Sequence, residues 1–157
     1  MDLSYVQSAI YFPILRGKEG ERLAVGHLSP VTQTRIRPMF DLAKPDGGES
    51  LEQHLMRAAG DFVSSWGVRL PLFIDFSRYA PDQTCANGRH ACEHFFECAR
   101  QLKLKAIPVA GPETHRGPGT KYIEAVAAIA RADGIRSERL CCANNWAATC
   151  SIAGSWA

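Results

Sequence analysis

The chain has 157 residues, enough for one domain with a real core. Apolar residues make up 46%, charged residues 22%, and the net charge is +2. This is ordinary globular composition, and it gives no general electrostatic pull toward nucleic acid or an anionic membrane. No apolar run approaches the ~20 residues that a membrane helix requires. The opening Met1–Asp2–Leu3 lacks the basic segment of a signal peptide, so a cytoplasmic protein is expected.

Taken in order, Ile10–Leu15 is the first strand candidate. Pro13 cannot donate to a ladder, which favours an edge or an early strand position. A charged loop, 16–21, follows, then a weak helical face through Leu23, Ala24 and Leu28. Ser29–Pro30 breaks it, and Val31–Arg35 is read as one further turn. Ile36–Leu42 is the second strand, ending near Asp41.

Residues 44–49 hold Pro, Asp and two Gly and form a loop. Ser50 and Gln53 stand at capping-box spacing. Leu51, Leu55, Ala59, Phe62 and Trp66 then recur every three or four residues, the clearest amphipathic helix in the chain. Gly67 stops it. Leu70–Asp75 follows, a buried-strand pattern that ends abruptly on a carboxylate.

Residues 77–88 read as a long polar loop. A helix from His90 to Leu102 presents Ala91, Phe95, Ala99 and Leu102 on one face. Lys105–Val109 is a short fourth strand, and the Gly- and Pro-rich 110–119 is loop. Thr120 caps a helix running to Asp133, with Ile123, Val126, Ala127 and Ala130 on its face, and Gly134 ends it. Arg139–Ala143 is a candidate fifth strand; the rest of the tail has no clear period.

The order β-α-β-α-β-α-β-α predicts an α/β fold with parallel strands and right-handed crossovers. Residues 1–136 are expected to form one domain of four β-α units, with 137–157 an atypical tail. The six cysteines, Cys85, Cys92, Cys98, Cys141, Cys142 and Cys150, contain no CxxC and sit in no secretory context, so free thiols are expected.

Three stretches carry a family resemblance. Tyr11–Phe12–Pro13–Ile14–Leu15–Arg16–Gly17–Lys18–Glu19–Gly20–Glu21 resembles the opening strand and Gly-Glu turn of the "beta protein" family of phages and bacterial genomes. Ile36–Arg37–Pro38–Met39–Phe40–Asp41 resembles that family's Arg-Pro strand with its acidic end. Leu72–Phe73–Ile74–Asp75 continues the match, which covers roughly residues 10–133. The resemblance implies a TIM-barrel-type fold, a phage or mobile-element setting and no particular reaction. A closed barrel takes about 250 residues. Four units therefore imply a half or open barrel, as in a truncated member, with an uncovered sheet edge through which copies could self-associate.

In parallel α/β folds the loops after the strands share one end of the sheet. That rule gathers Lys18, Asp41 and Asp75 as candidate catalytic groups. It adds Arg16, Arg78, Glu113, His115 and Arg116 as candidate ligand-binding groups. Mixed acids and bases there suit a small anionic ligand, phosphorylated or nucleotide-type, with or without Mg²⁺. A non-catalytic interaction module, or a fragment without activity of its own, is the alternative.

Other motifs are weaker. Residues 111–119 precede a helix but are neither a Walker A loop nor GxGxxG. His90–Ala91–Cys92–Glu93–His94 matches the His-x-x-Glu-His pattern of inverted zinc peptidases. The apolar face of that helix belongs to Ala91, Phe95 and Ala99, so both histidines are expected near the surface as solvated groups. Cys98 and Trp66 are expected in the core.

Overall fold

A computed structural model describes residues 11–110, 120–134 and the backbone of 141–142. The strands are β1 (Ile14–Leu15), β2 (Met39–Asp41), β3 (Leu72–Asp75), β4 (Ala106–Ala110) and β5 (Cys141–Cys142). The helices are α1 (Glu19–Gly26), α2 (Pro30–Arg35), α3 (Leu51–Trp66), α4 (Ala91–Gln101) and α5 (Lys121–Ala132). The five strands pair in chain order, β1-β2-β3-β4-β5, and every pairing is parallel. The expected α/β fold with parallel strands is present. The sheet is open, with β1 and β5 as its edges among the described residues.

Strand lengths are shorter than the apolar runs that announce them, for a local reason. Pro13 has no N–H, so β1 narrows to two ladder residues. Its carbonyl still works, accepting from the Met39 amide at 2.9 Å, and an isolated bridge pairs Tyr11 with Ile36. The next strand boundary follows the same logic: Pro38 offers only its carbonyl, which takes the Phe73 amide at 2.8 Å.

Parallel register fixes which side chains share a face. Phe40 is opposite Ile74, and Met39 is opposite Phe73, which is opposite Ile107. Phe40 points at the helices: its ring lies 4.8 Å from that of Phe62 on α3. Phe62 meets Phe95 of α4 edge-on at 6.3 Å, and Phe95 in turn meets Phe96 and Phe76 at 5.4 and 5.8 Å. Phe76 reaches Tyr79 and, on α5, Tyr122. One aromatic tract thus joins β2, α3, α4 and α5. The helices pack against each other in chain order as well: α1 on α3, α3 on α4, α4 on α5.

The helix ends are set by the residues the sequence indicated. Ser50 accepts from the Gln53 amide and Gln53 accepts from the Ser50 amide, each at 3.2 Å, completing the capping box. Gly67 closes α3 at φ +84°, a conformation in the left-handed half of the map that favours glycine. The Trp66 indole donates to the Leu70 carbonyl at 3.0 Å, so this core residue also ties the helix end to the lead-in of β3. Thr120 caps α5 through its hydroxyl, and Ser29, read from the sequence only as a break, is the N-cap of α2.

Three expectations are corrected. The first helix starts at Glu19 rather than at Glu21, because extended Lys18 already serves as its N-cap and the Glu21 carboxylate folds back onto the Arg16 amide at 2.7 Å. Leu102, expected on the buried face of α4, is exposed, since it is the C-cap where the chain leaves the helix. His90, expected near the surface, is 8% exposed. It is the N-cap of α4: Nδ1 accepts from the Cys92 amide at 3.2 Å, and Nε2 donates to the Pro81 carbonyl at 3.1 Å. Both ring nitrogens are occupied, so the zinc-peptidase pattern has no chemical content here.

A polar network ties the β2–α3 connection down. Arg57 holds Glu49 through two donors, at 2.9 and 2.8 Å, and reaches Asp61 at 3.4 Å. Arg22 of α1 pairs with Asp61 at 3.1 Å and also donates to the Gly17 carbonyl. The hydrogen bonds from Arg57 hold the Glu49 carboxyl at about 2, below its usual 4.5.

Two outcomes follow from these contacts. Phe62→Ala removes the ring that couples β2 to α4, and is expected to lower unfolding free energy by ~3–5 kcal/mol in chemical denaturation. Glu49 has a depressed folded-state pKa, so its contribution is complete above the unfolded value and is lost as pH falls through the folded one. The melting-temperature gap between wild type and Glu49→Gln is therefore expected to be steady at neutral pH and to close between 4.5 and about 2. A gap that does not change over that window contradicts the pairing.

Candidate functional site

Asp41 and Asp75 are the last residues of β2 and β3, and the register sets them side by side. Alternation along each strand puts both on the face that carries Met39 and Phe73, away from the Phe40–Phe62 contact. Asp41 is half-buried, and Asp75 is 7% exposed.

The residues just beyond β3 join the two carboxylates. The Ser77 amide donates to Asp75 Oδ1 at 2.9 Å, a short Asx-type turn. The Ser77 hydroxyl donates to Asp41 Oδ1, also at 2.9 Å. Arg78 Nε donates to Asp41 Oδ2 at 2.5 Å. Both oxygens of Asp41 are therefore engaged, one by a hydroxyl and one by a guanidinium. Tyr79 is buried next to this group and donates to the Ala43 carbonyl at 2.6 Å. Burial, with the Asp41 charge second, raises its phenol well above the ordinary range. His54 Nε2 donates to the same carbonyl at 2.8 Å, so the chain leaving β2 is pinned from two sides.

The loop after β1 reaches the same rim through its backbone. Gly17 sits at φ +68°, and a Cβ placed there would lie 3.2 Å from the Asp41 carbonyl oxygen. The dihedral favours glycine, and the close approach leaves little room for a Cβ. Arg16 and Lys18 flank this contact and are exposed. Among the described residues, no hydrogen bond or ion pair joins Lys18 to Asp41 or Asp75.

Of the eight candidate residues, Asp41, Asp75 and Arg78 thus form one bonded cluster, and Arg16 and Lys18 adjoin it through Gly17. Glu113, His115 and Arg116 lie outside the described residues. Ser77, which bridges the two carboxylates, was not foreseen; the local signal for it is the Asp-x-Ser spacing of Asp75 and Ser77. Among the described residues, no group of three or more His, Cys, Asp or Glu suits a metal ion.

Thiol chemistry has no support in the described cysteines. Cys85, Cys92 and Cys98 are free and buried, as expected for the first three of the six. Burial pushes the Cys85 thiol up to about 11, and it raises Cys92 and Cys98 as well. Such thiols are poor nucleophiles at neutral pH. Cys98 Sγ lies 3.8 Å from His94 Nε2, one turn away on α4, with the thiol form favoured. No described helix is long and apolar enough to cross a membrane.

No curated protein and no solved structure matches this chain. The family model described as Beta protein matches residues 11–142, a span that runs from the first bridge residue through β5 and takes in the Asp41–Ser77–Asp75 cluster. The chain belongs to the Beta protein family.

Proposed function

We propose that the carboxyl-end rim of β1, β2 and β3 binds a phosphorylated or nucleotide-type ligand, in the phage or mobile-element setting that the family resemblance implies. The observation that supports this most is the Asp41–Ser77–Asp75 bridge, two strand-end carboxylates locked into one polar cluster at the end of the sheet where such folds keep their ligands. Arg78 pairs with it, and Arg16 and Lys18, on either side of Gly17, add exposed positive charge in the adjoining loop. Asp41 and Asp75 act as positioning groups in this reading, and Lys18 supplies attraction to the anion.

Calorimetric titration with adenosine monophosphate, with and without Mg²⁺, tests it. Saturable heat is expected in at least one condition. Lys18→Ala should weaken binding by roughly fivefold, the worth of about 1 kcal/mol for one exposed charge contact. Absence of heat in both conditions overturns the reading.

A second reading rests on a different observation. Tyr11 and Ile14 are each 62% exposed, and Ile14 belongs to β1, an edge strand among the described residues. An open parallel edge with apolar side chains suits pairing with a second copy of this chain. Light scattering is expected to give twice the chain mass, reverting to one chain mass in Ile14→Lys. A single-chain mass for wild type removes this reading.

A further inference from the structure

Arg78 is 44% exposed at its side chain, yet it is not a free surface arginine, because Asp41 Oδ2 holds its Nε at 2.5 Å. Carboxylates usually engage a guanidinium through two oxygens. Here the second oxygen, Oδ1, is taken by the Ser77 hydroxyl. The guanidinium therefore donates one bond to Asp41, through Nε. Among the described residues, its two terminal nitrogens, Nη1 and Nη2, donate no hydrogen bond. What remains is a planar pair of donors on a side chain that Asp41 anchors through Nε and that is 44% exposed.

We propose that Arg78 is the oxyanion-binding residue of this rim, taking two oxygens of a phosphate group through Nη1 and Nη2, with Asp41 and Ser77 as its positioning residues. The proposal deepens the ligand reading above and rests on it. It assigns Asp41 a role through Arg78 rather than contact with the ligand. The phosphate is matched because two parallel N–H donors on a rigid fork fit two oxygens of a tetrahedral anion, which a lysine cannot reproduce. Pre-orientation by Asp41 removes much of the ordering that a free arginine side chain would undergo on binding. Asp41 also cancels part of the charge of Arg78. Selectivity is therefore expected to come from fork geometry more than from bulk positive potential.

The test titrates the full chain with inorganic phosphate and with adenosine monophosphate, in wild type, Arg78→Lys and Asp41→Ala, while the arginine Nε–H signals are followed by ¹⁵N NMR. In the free wild-type protein, the Arg78 Nε–H is expected as a slowly exchanging, displaced signal that disappears into the bulk arginine envelope in Asp41→Ala. Wild type should bind, Arg78→Lys should bind at least tenfold more weakly despite its retained charge, and Asp41→Ala should fall between them. Binding in wild type that is unchanged in Arg78→Lys overturns the assignment of Arg78 while leaving the ligand reading intact. An Arg78 Nε–H signal indistinguishable from exposed arginines, or unchanged in Asp41→Ala, overturns the positioning role of Asp41. No binding to wild type overturns the ligand reading and this proposal with it. A folded thermal melt for Asp41→Ala is the control, and Asp41→Asn, which keeps an acceptor oxygen, is expected to restore part of both signals.

Discussion

The register of β2 against β3, Phe40 opposite Ile74 and Asp41 opposite Asp75, is the constraint from which the rest of the structure follows. Side chains alternate along a strand, so this one alignment sends Phe40 toward Phe62 and the helices while it sends both carboxylates to the other face. A slip of one residue would reverse both placements together. It would turn Asp41 toward α3 and take Phe40 away from Phe62. The aromatic tract from Phe40 through Phe62 and Phe95 to Phe76 thus protects more than core stability: it makes the alternative register costly. The geometry of the rim is inherited from the packing of the opposite face.

Seen this way, the polar cluster and the core are two ends of one device. Phe76 belongs to the tract, and it stands between Asp75 and Ser77 in the chain. Burying Phe76 fixes where Ser77 can go. Ser77 then bonds both carboxylates, and Arg78 follows onto Asp41. Gly17 completes the rim by letting the β1 loop approach the Asp41 carbonyl. Arg22 holds that loop from behind, through the Gly17 carbonyl and Asp61 of α3. The Ser77 contacts are thus backed by Phe76 and the Gly17 approach by Arg22.

Much of this architecture is legible in the sequence because its signals are local. The spacing of Leu55, Ala59, Phe62 and Trp66 gives α3, Ser50 with Gln53 gives its start, and Gly67 gives its end. Alternation of helical and extended stretches gives parallel order, and Pro13 stands immediately before β1, which is an edge among the described residues. Asp41 and Asp75 stand out as carboxylates closing apolar runs. What escapes the sequence depends on distance in the chain. The Arg78–Asp41 pair spans 37 residues and the Ser77–Asp41 bond 36, and both exist only once β2 and β3 are aligned. His90 misleads for a related reason. Helical periodicity places it on an outer face, but as N-cap it leaves the helical path and its ring turns inward to Pro81. Strand ends are overextended because apolarity marks burial: Leu70 and Pro71 are buried yet precede the ladder.

The in-order parallel alignment is measured most directly by the hydrogen bonds across the central strand. Scalar couplings through those bonds, observed by NMR, are predicted from the Phe73 amide to the Pro38 carbonyl on one side and from the Leu72 amide to the Lys105 carbonyl on the other, with the Leu42 amide coupled to Asp75. Close Hα–Hα contacts between residues 39–41 and 72–75, the mark of antiparallel neighbours, would contradict the alignment and the rim built on it.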